Sequence, residues 1–268
     1  PSLLRTRTSD ADTVRKISIV SFPVVPPTHR MNDPAVCGSD VSNVVVDLQD
    51  VGSRYYTFQA TMLYCMEEAA RMGKGVLVLD RPNPLGGVVV EGNIVHPGFE
   101  SFVGAYPLAV RHALTIGEVA RLLDGTEQWN AKLTIVELQN WQREWLYPQT
   151  GGFWSQPSPN MPTFDTTVVY PGTCLFEATN VSEGRGTTRP FEIIGAPFIN
   201  PKEYAAALNA QKLPGVYFRP LYFKPTFHKF KDEACGGVFV HVTDVAVFES
   251  FYTGLTMVKT AHEIGRAH

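Results

Sequence analysis

The chain lacks any long hydrophobic run. Its longest apolar stretches, around residues 44–48 and 76–79, have the length of buried strands, far short of the roughly 20 residues a membrane-crossing helix needs. It also lacks an excess of basic charge. Lys and Arg number 23 against 26 Asp and Glu, a formal net charge of −3. Proteins that grip phosphate backbones need a positive surface, so nucleic acid is excluded as the main partner. Cysteine is scarce. Cys37, Cys65, Cys174 and Cys235 are scattered and include no C-x-x-C pair. Zinc needs clustered ligands, so no metal site of that kind is implied. An even count permits disulfides in an exported protein without requiring them, and Cys65 reads as a buried thiol inside a helix. No internal repeat is visible, and the first residues, 1–5, have no apolar core of the kind a signal peptide carries. What is present is ordinary for a globular α/β protein: 268 residues, 44% hydrophobic and 18% charged, enough for a sizeable core.

Periodicity gives the scaffold. Residues 43–48 are a β-branched run of strand length, expected to be buried on both faces. Residues 58–72 place Met62, Leu63, Met66, Ala69 and Ala70 on one helical face, and Gly73 closes that helix. Residues 75–79 form a second buried strand. Strand, helix and strand in succession make the βαβ unit of a parallel sheet. The apolar stretch 17–22 reads as one further strand. Thr115 with Glu118 forms a capping box that opens a helix running to about Asp124, and 132–138 is the next strand. Residues 151–173, rich in Pro, Gly, Ser and Thr, read as an irregular excursion. Beyond them come a helix at 201–211 with Pro201 in its first turn, strands at 216–223 and 237–243, and a weaker helix at 248–262.

Three polar segments carry the candidate chemistry. The first runs from Asp47 to Thr57, at the carboxyl end of a strand, where open α/β sheets bind ligands. It offers Asp47, Asp50, Arg54, Tyr55 and Tyr56. Arginine's fork suits a carboxylate, and tyrosine faces suit a sugar or a core. The bland alternative has Asp50 capping a turn and pairing with Arg54. The second segment leaves the next strand with Asp80, Arg81 and Asn83 set among two prolines, which hold the residues before them extended. Glu91 follows as either a catalytic carboxylate or the solvated end of a short apolar strand at 88–90. The third runs from Pro157 to Glu192. Glu177 and Glu183 surround Thr179, Asn180 and Ser182, while Gly184 and Gly186 flank Arg185 and are expected to let the backbone approach a ligand. A glycosidase needs one carboxyl group as acid and another as base or nucleophile, and this loop can supply one or both. A surface Glu183–Arg185 pair is the bland alternative.

From about Val44 to about Asp244 the chain resembles the bacterial exo-β-N-acetylmuramidase family, glycoside hydrolase family 171. The stretches that carry the resemblance are DLQDVGSRYYTF, LDRPNPLGG with VEG, SFVG, RHALTIGEVA, PSPNMPT, YPGTCLFEATNVSEGRGTTRPFE and GAPF. The resemblance implies a Rossmann-like, mostly parallel sheet with flanking helices, followed by a smaller α/β domain. It also implies release of terminal N-acetylmuramic acid from the non-reducing end of peptidoglycan fragments, outside the cytoplasm, with no cofactor. Members of the family begin with further strands and a Ser-Pro-Glu-His-Gly-like stretch that has no counterpart in residues 1–40. The chain also stops before the family's usual C-terminal end, and is therefore expected to be incomplete at both ends. Ala113 and Ala178 stand where the family pattern leads one to expect glycine.

The resulting expectation is a poorly matching segment at 1–40, a catalytic domain at 41–195, the start of a smaller domain at 196–262 and an artefactual tail at 263–268. Glu183, Glu177 and Glu91 are the acid–base candidates. Arg54, Arg81 and Arg185 are the candidate partners of the sugar's lactyl carboxylate. Asp50, Tyr56, Asp80, Asn83, His112, Asn160 and Asn180 complete the expected substrate-binding set. Two rival readings use the same loops: a non-catalytic glycan-binding remnant, and a metal-dependent hydrolase in which Asp47, Asp50 and Asp80 hold an oxygen-ligated ion such as magnesium.

Overall fold

The computed structural model describes residues 17–21 and 42–264. They divide into two compact units that interleave along the chain instead of following one another. The first takes the described residues up to Gln49, with Phe58–Pro82 and Leu114–Asn140. The second takes Asp50–Thr57, Asn83–Ala113 and the chain from Trp141 onward. The linear division at residue 195 therefore does not coincide with either unit. The tail after residue 264 lies outside the described residues.

In the first unit, strands β1 (Ile17–Ser21), β2 (Asn43–Asp47), β3 (Gly75–Leu79) and β4 (Lys132–Val136) form a parallel sheet in that order. Val44 pairs with Val76, and Val76 with Leu133. Helix α1 (Phe58–Arg71) crosses between β2 and β3 as the βαβ pattern requires, and packs against α2 (Ile116–Glu127). Burial of β2 and β3 alternates. Val44, Val46, Val76 and Val78 are sealed while their neighbours are partly open, so these strands are less buried than their composition suggests. Met62, Leu63, Met66 and Ala69 of α1 and Val119, Ala120 and Leu123 of α2 are also buried in this unit, each large side chain contributing about 1.5–3 kcal/mol. The capping box at Thr115 is present with both reciprocal bonds.

The second unit holds a three-stranded antiparallel sheet in the order β5-β7-β6, from β5 (Ile193–Ala196), β6 (Val216–Phe223) and β7 (Cys235–Val242). Helices α3 (Phe164–Thr173), α4 (Pro201–Ala210) and α5 (Ser250–Ile264) accompany it. Tyr204 of α4 is fully buried and donates its hydroxyl to the Met257 carbonyl of α5 at 2.9 Å. Helix α3 corrects the irregular reading of residues 151–173. Its Thr, Pro and Gly content looks like loop, but Thr163 caps it and every residue from Thr166 to Thr173 is buried, so tertiary packing overrides propensity. Pro171 falls in its last turn, where little further ladder is lost. The apolar residues Val88, Val89 and Val90 form no strand and are exposed. Cys65, Cys174 and Cys235 are buried free thiols, and Cys37 lies outside the described residues. No helix among the described residues is long and apolar enough to cross a membrane.

Helices α3 and α5 touch backbone to backbone. A β-carbon on Gly172 would strike the Ser250 carbonyl oxygen, and one on Gly254 would strike the Gly172 backbone. Gly254→Ala is therefore expected to lower unfolding stability by about 1–3 kcal/mol through overpacking, read from urea midpoints. A change smaller than about 0.5 kcal/mol, the scatter of neutral surface changes, would mean the crossing is not tight.

Candidate functional site

The third polar segment is locked in place by its own backbone. After α3 the chain makes a 3-10 turn, Cys174–Ala178, and Ser182 then exchanges two backbone bonds with Gly195 of β5, at 2.8 and 3.0 Å. Gly184 and Gly186 have φ of +78° and +84°. A β-carbon on the first would hit the Ile193 carbonyl, and on the second the backbone of Phe227. These glycines let the loop seat on its own protein neighbours, which corrects the expectation that they make room for a ligand.

Charge is concentrated around Glu183. Its side chain has 0% exposure. Arg185 Nε lies 3.2 Å from Oε1, His228 Nδ1 lies 3.1 Å from the same oxygen, and Lys229 Nζ lies 3.2 Å from Oε2. Neither oxygen has an aligned hydrogen bond, so the contacts with Arg185 and Lys229 are ionic. A buried carboxylate costs several kcal/mol unless cations compensate it, and here Arg185 and Lys229 do, with the His228 ring beside them. Lys229 also donates to the carbonyls of Phe176 (2.7 Å), Val181 (3.1 Å) and Glu177 (3.2 Å), tying off the end of the 3-10 turn. The far side of Arg185 donates from Nη2 to Glu177 Oε1 at 2.5 Å. Burial opposes the charge on Arg185, but Glu177 and then Glu183 outweigh it and hold its pKa above the usual value. Glu177 itself is 40% exposed at its side chain.

Aromatic rings link this cluster to the first polar segment. Arg185 sits 5.0 Å from the Phe191 ring, Phe191 meets Tyr170 edge to face at 4.7 Å, and Tyr170 meets Tyr56 at 6.2 Å. Burial pushes the Tyr56 and Tyr170 hydroxyls well above their normal range, and Asp50 adds to the effect on Tyr56. Burial likewise pushes the Cys174 thiol up to about 12, with Glu177 adding. Asp50 accepts from Gly52 N at 2.7 Å, forming the turn of the bland reading, and His112 Nε2 lies 3.3 Å from the same carboxylate oxygen. Both side chains are buried. The second unit thus brings together Asp50, Tyr56, His112, Glu177, Glu183 and Arg185.

Other expected site residues have structural occupations. Glu91 pairs with Arg111 at 2.6 Å through Oε1 and accepts from Phe251 N at 2.8 Å through Oε2. Arg54 is buried and donates from Nη1 to the carbonyls of Asn93 and Leu108 at 2.6 and 2.7 Å; burial lowers its pKa. Asn83 is buried and accepts from Leu85 N at 2.9 Å. Asn160 and Asn180 are half-buried. In the first unit, Asp80 accepts from Gly117 N, the Thr115 hydroxyl and Arg81 N, capping α2. Arg81 pairs there with Asp47 at 2.6 Å. Each aspartate of the metal-dependent reading is thus already engaged, and no three His, Cys, Asp or Glu side chains among the described residues group to hold a metal ion.

Sequence reasoning missed Tyr170, Phe191, His228 and Lys229. The last two sit in a charged stretch, 224–233, that has no periodicity and no motif. Only the presence of an acidic residue fully removed from water points to them.

Two family profiles match, described as the N-terminal part of exo-beta-N-acetylmuramidase NamZ, over residues 8–165, and its C-terminal part, over residues 168–268. The first begins inside the segment at 1–40 that the resemblance left unmatched. A peptidoglycan beta-N-acetylmuramidase, NamZ of Bacillus subtilis, is 48% identical over 225 residues, 84% of this chain and 54% of its own length. The crystal structure of a DUF1343 family protein from Bacteroides fragilis superposes with a TM-score of 0.82 at 34% identity, over 87% of this chain and 61% of that one. A second such protein gives 0.66 at 28% identity, over 85% and 61%. The chain belongs to the NamZ exo-β-N-acetylmuramidase family, and it spans about half the length of the curated relative it matches.

Ala113, where the family pattern suggests glycine, has φ +57°. A β-carbon in that region costs about 1–2 kcal/mol, partly offset in glycine by greater unfolded-state freedom. Ala113→Gly is expected to stabilise the protein by about 0.5–1 kcal/mol, seen as a melting temperature higher by about 1–4 °C. An unchanged or lower melting temperature would contradict the strain.

Proposed function

We propose that the chain forms part of a glycosidase that releases terminal N-acetylmuramic acid from the non-reducing end of peptidoglycan fragments. Besides family membership, the observation that supports this reading is the open end of the charged cluster. Glu177 is a partly exposed carboxylate held in one orientation by Arg185. Arg185 keeps Nη1 without a bond among the described residues, and that edge suits the lactyl carboxylate of muramic acid. Glu183, with no exposed surface, acts through Arg185 and does not touch substrate. Glu177 is then the acid–base carboxylate of this cluster, and the half-buried Asn160 and Asn180 are the candidates for the acetamido group and hydroxyls. Since peptidoglycan lies outside the cytoplasmic membrane, the same reading places the protein there, which fractionation of its host would check.

One specific observation keeps the glycan-binding alternative in play. Sealing Glu183 leaves a single open carboxylate in the cluster, one short of the pair of carboxyl groups that glycosidases ordinarily use. Both readings are tested with a chromogenic muramoside, using this chain beside a version extended to the length of its relatives. The extended protein is expected to release N-acetylmuramic acid. In it, Glu177→Gln should cut kcat on the order of 10²–10⁴-fold and leave the melting temperature almost unchanged, since an exposed ion pair contributes about 0–1 kcal/mol. Glu183→Gln should instead destabilise by about 0.5–3 kcal/mol, because it leaves the partly exposed Arg185 and Lys229 without their shared carboxylate. Near-normal kcat in Glu177→Gln would remove Glu177 from the mechanism.

A further inference from the structure

Residues 225–232 form the second side of the charged cluster. Thr226 N and its hydroxyl both donate to the Gly186 carbonyl at 2.9 Å, and Asp232 N donates to the Pro225 carbonyl at 2.8 Å, closing the segment into a loop. Inside that loop His228, Phe230 and Asp232 all take left-handed φ, at +68°, +55° and +62°. Side chains rarely accept that backbone. Such strain persists only where the surroundings over-determine it, and it gathers at functional sites. At His228 it sets an imidazole with Nδ1 3.1 Å from Glu183 Oε1 while the side chain stays 47% exposed. The same oxygen contacts Arg185, whose other end holds Glu177. The order is Glu177, Arg185, Glu183, His228: the outer two open to solvent, the inner carboxylate sealed.

We propose that His228 is a catalytic residue of this site, the proton-carrying partner of Glu177. The inference rests on the glycosidase reading above. Hydrolysis of a glycoside needs two proton-transferring groups at the scissile bond. Glu183 cannot reach a substrate, and His228 is the second open proton carrier attached to the network. The bond between the anomeric carbon and the leaving oxygen breaks, with its electron pair kept by that oxygen, which takes a proton from the His228 imidazolium. A water oxygen bonds to the anomeric carbon and its proton passes to the Glu177 carboxylate. Glu177 then returns that proton through solvent to the imidazole. One water is consumed for each bond cleaved and both groups are reset. Glu183 supplies the fixed negative charge beside the imidazolium, as the buried acid of a catalytic triad does.

The test uses the left-handed backbone itself. In the full-length protein, His228→Gly accepts φ +68° without strain, which offsets part of the stability lost with the Glu183 contact, so turnover is compared per folded molecule. Its kcat on the chromogenic muramoside should drop on the order of 10²–10⁴-fold with little change in KM, and added imidazole should restore part of the loss. His228→Asn, which also tolerates this backbone, should lose kcat and gain nothing from imidazole. Near-normal kcat in His228→Gly, or a loss that imidazole does not relieve, overturns the proposal. A wild-type protein that releases no sugar overturns the glycosidase reading itself and the inference with it, an outcome visible before any variant is measured.

Discussion

A carboxylate with no exposed surface must be matched by positive charge, and Glu183 imposes that condition on everything near it. Arg185 from its own loop and His228 and Lys229 from a segment far along the chain all converge on its two oxygens. Lys229 then reaches past Glu183 to three carbonyls around the 3-10 turn, so the same cation neutralises the acid and ends the turn. The loop cannot move outward without exposing these ions, and it cannot move inward because Gly184 and Gly186 already touch backbone. The open group, Glu177, is positioned as a consequence, through Arg185.

Holding this arrangement strains the backbone. Phe191 is left-handed at φ +64°, and its N–H donates to the Glu183 carbonyl at 2.6 Å. Its single ring lies under Arg185 and also meets Tyr170 edge to face. Strain of about 1–3 kcal/mol per such residue is tolerable because the sheet beneath is rigid. Ser182 pairs with β5, and Val240 of β7 donates to the Glu192 carbonyl at 2.8 Å. The aromatic series then carries the order of the charged cluster through to Asp50 and His112, which sequence places far away.

The elements that depend on local pattern were readable in the sequence. Strand β2, helix α1 and strand β3 follow from β-branched runs, one apolar face and a closing glycine, and the Thr115–Glu118 capping box follows from side-chain spacing alone. The elements that depend on tertiary burial were not. Helix α3 is built from poor helix formers, and β5 is too short for its alternation to register. Among the candidate site residues, Glu177, Glu183 and Arg185 were found because a loop dense in polar groups stands out. Glu91 and Arg54 looked equally chemical, yet both satisfy buried backbone, a role that composition does not distinguish from catalysis. His228 was invisible for the opposite reason: its partner Glu183 lies far from it in sequence, and only the fold brings them together.

If the buried carboxylate governs the site, then Glu183 and Lys229 must be energetically coupled. A double-mutant cycle with Glu183→Gln, Lys229→Met and the pair, measured by urea unfolding, tests this most directly. The account predicts a coupling energy of about 2 kcal/mol, within the range seen for contacting buried groups, with the double variant more stable than the sum of the single losses allows. Losses that add to within about 0.5 kcal/mol, as they do for independent sites, would contradict it.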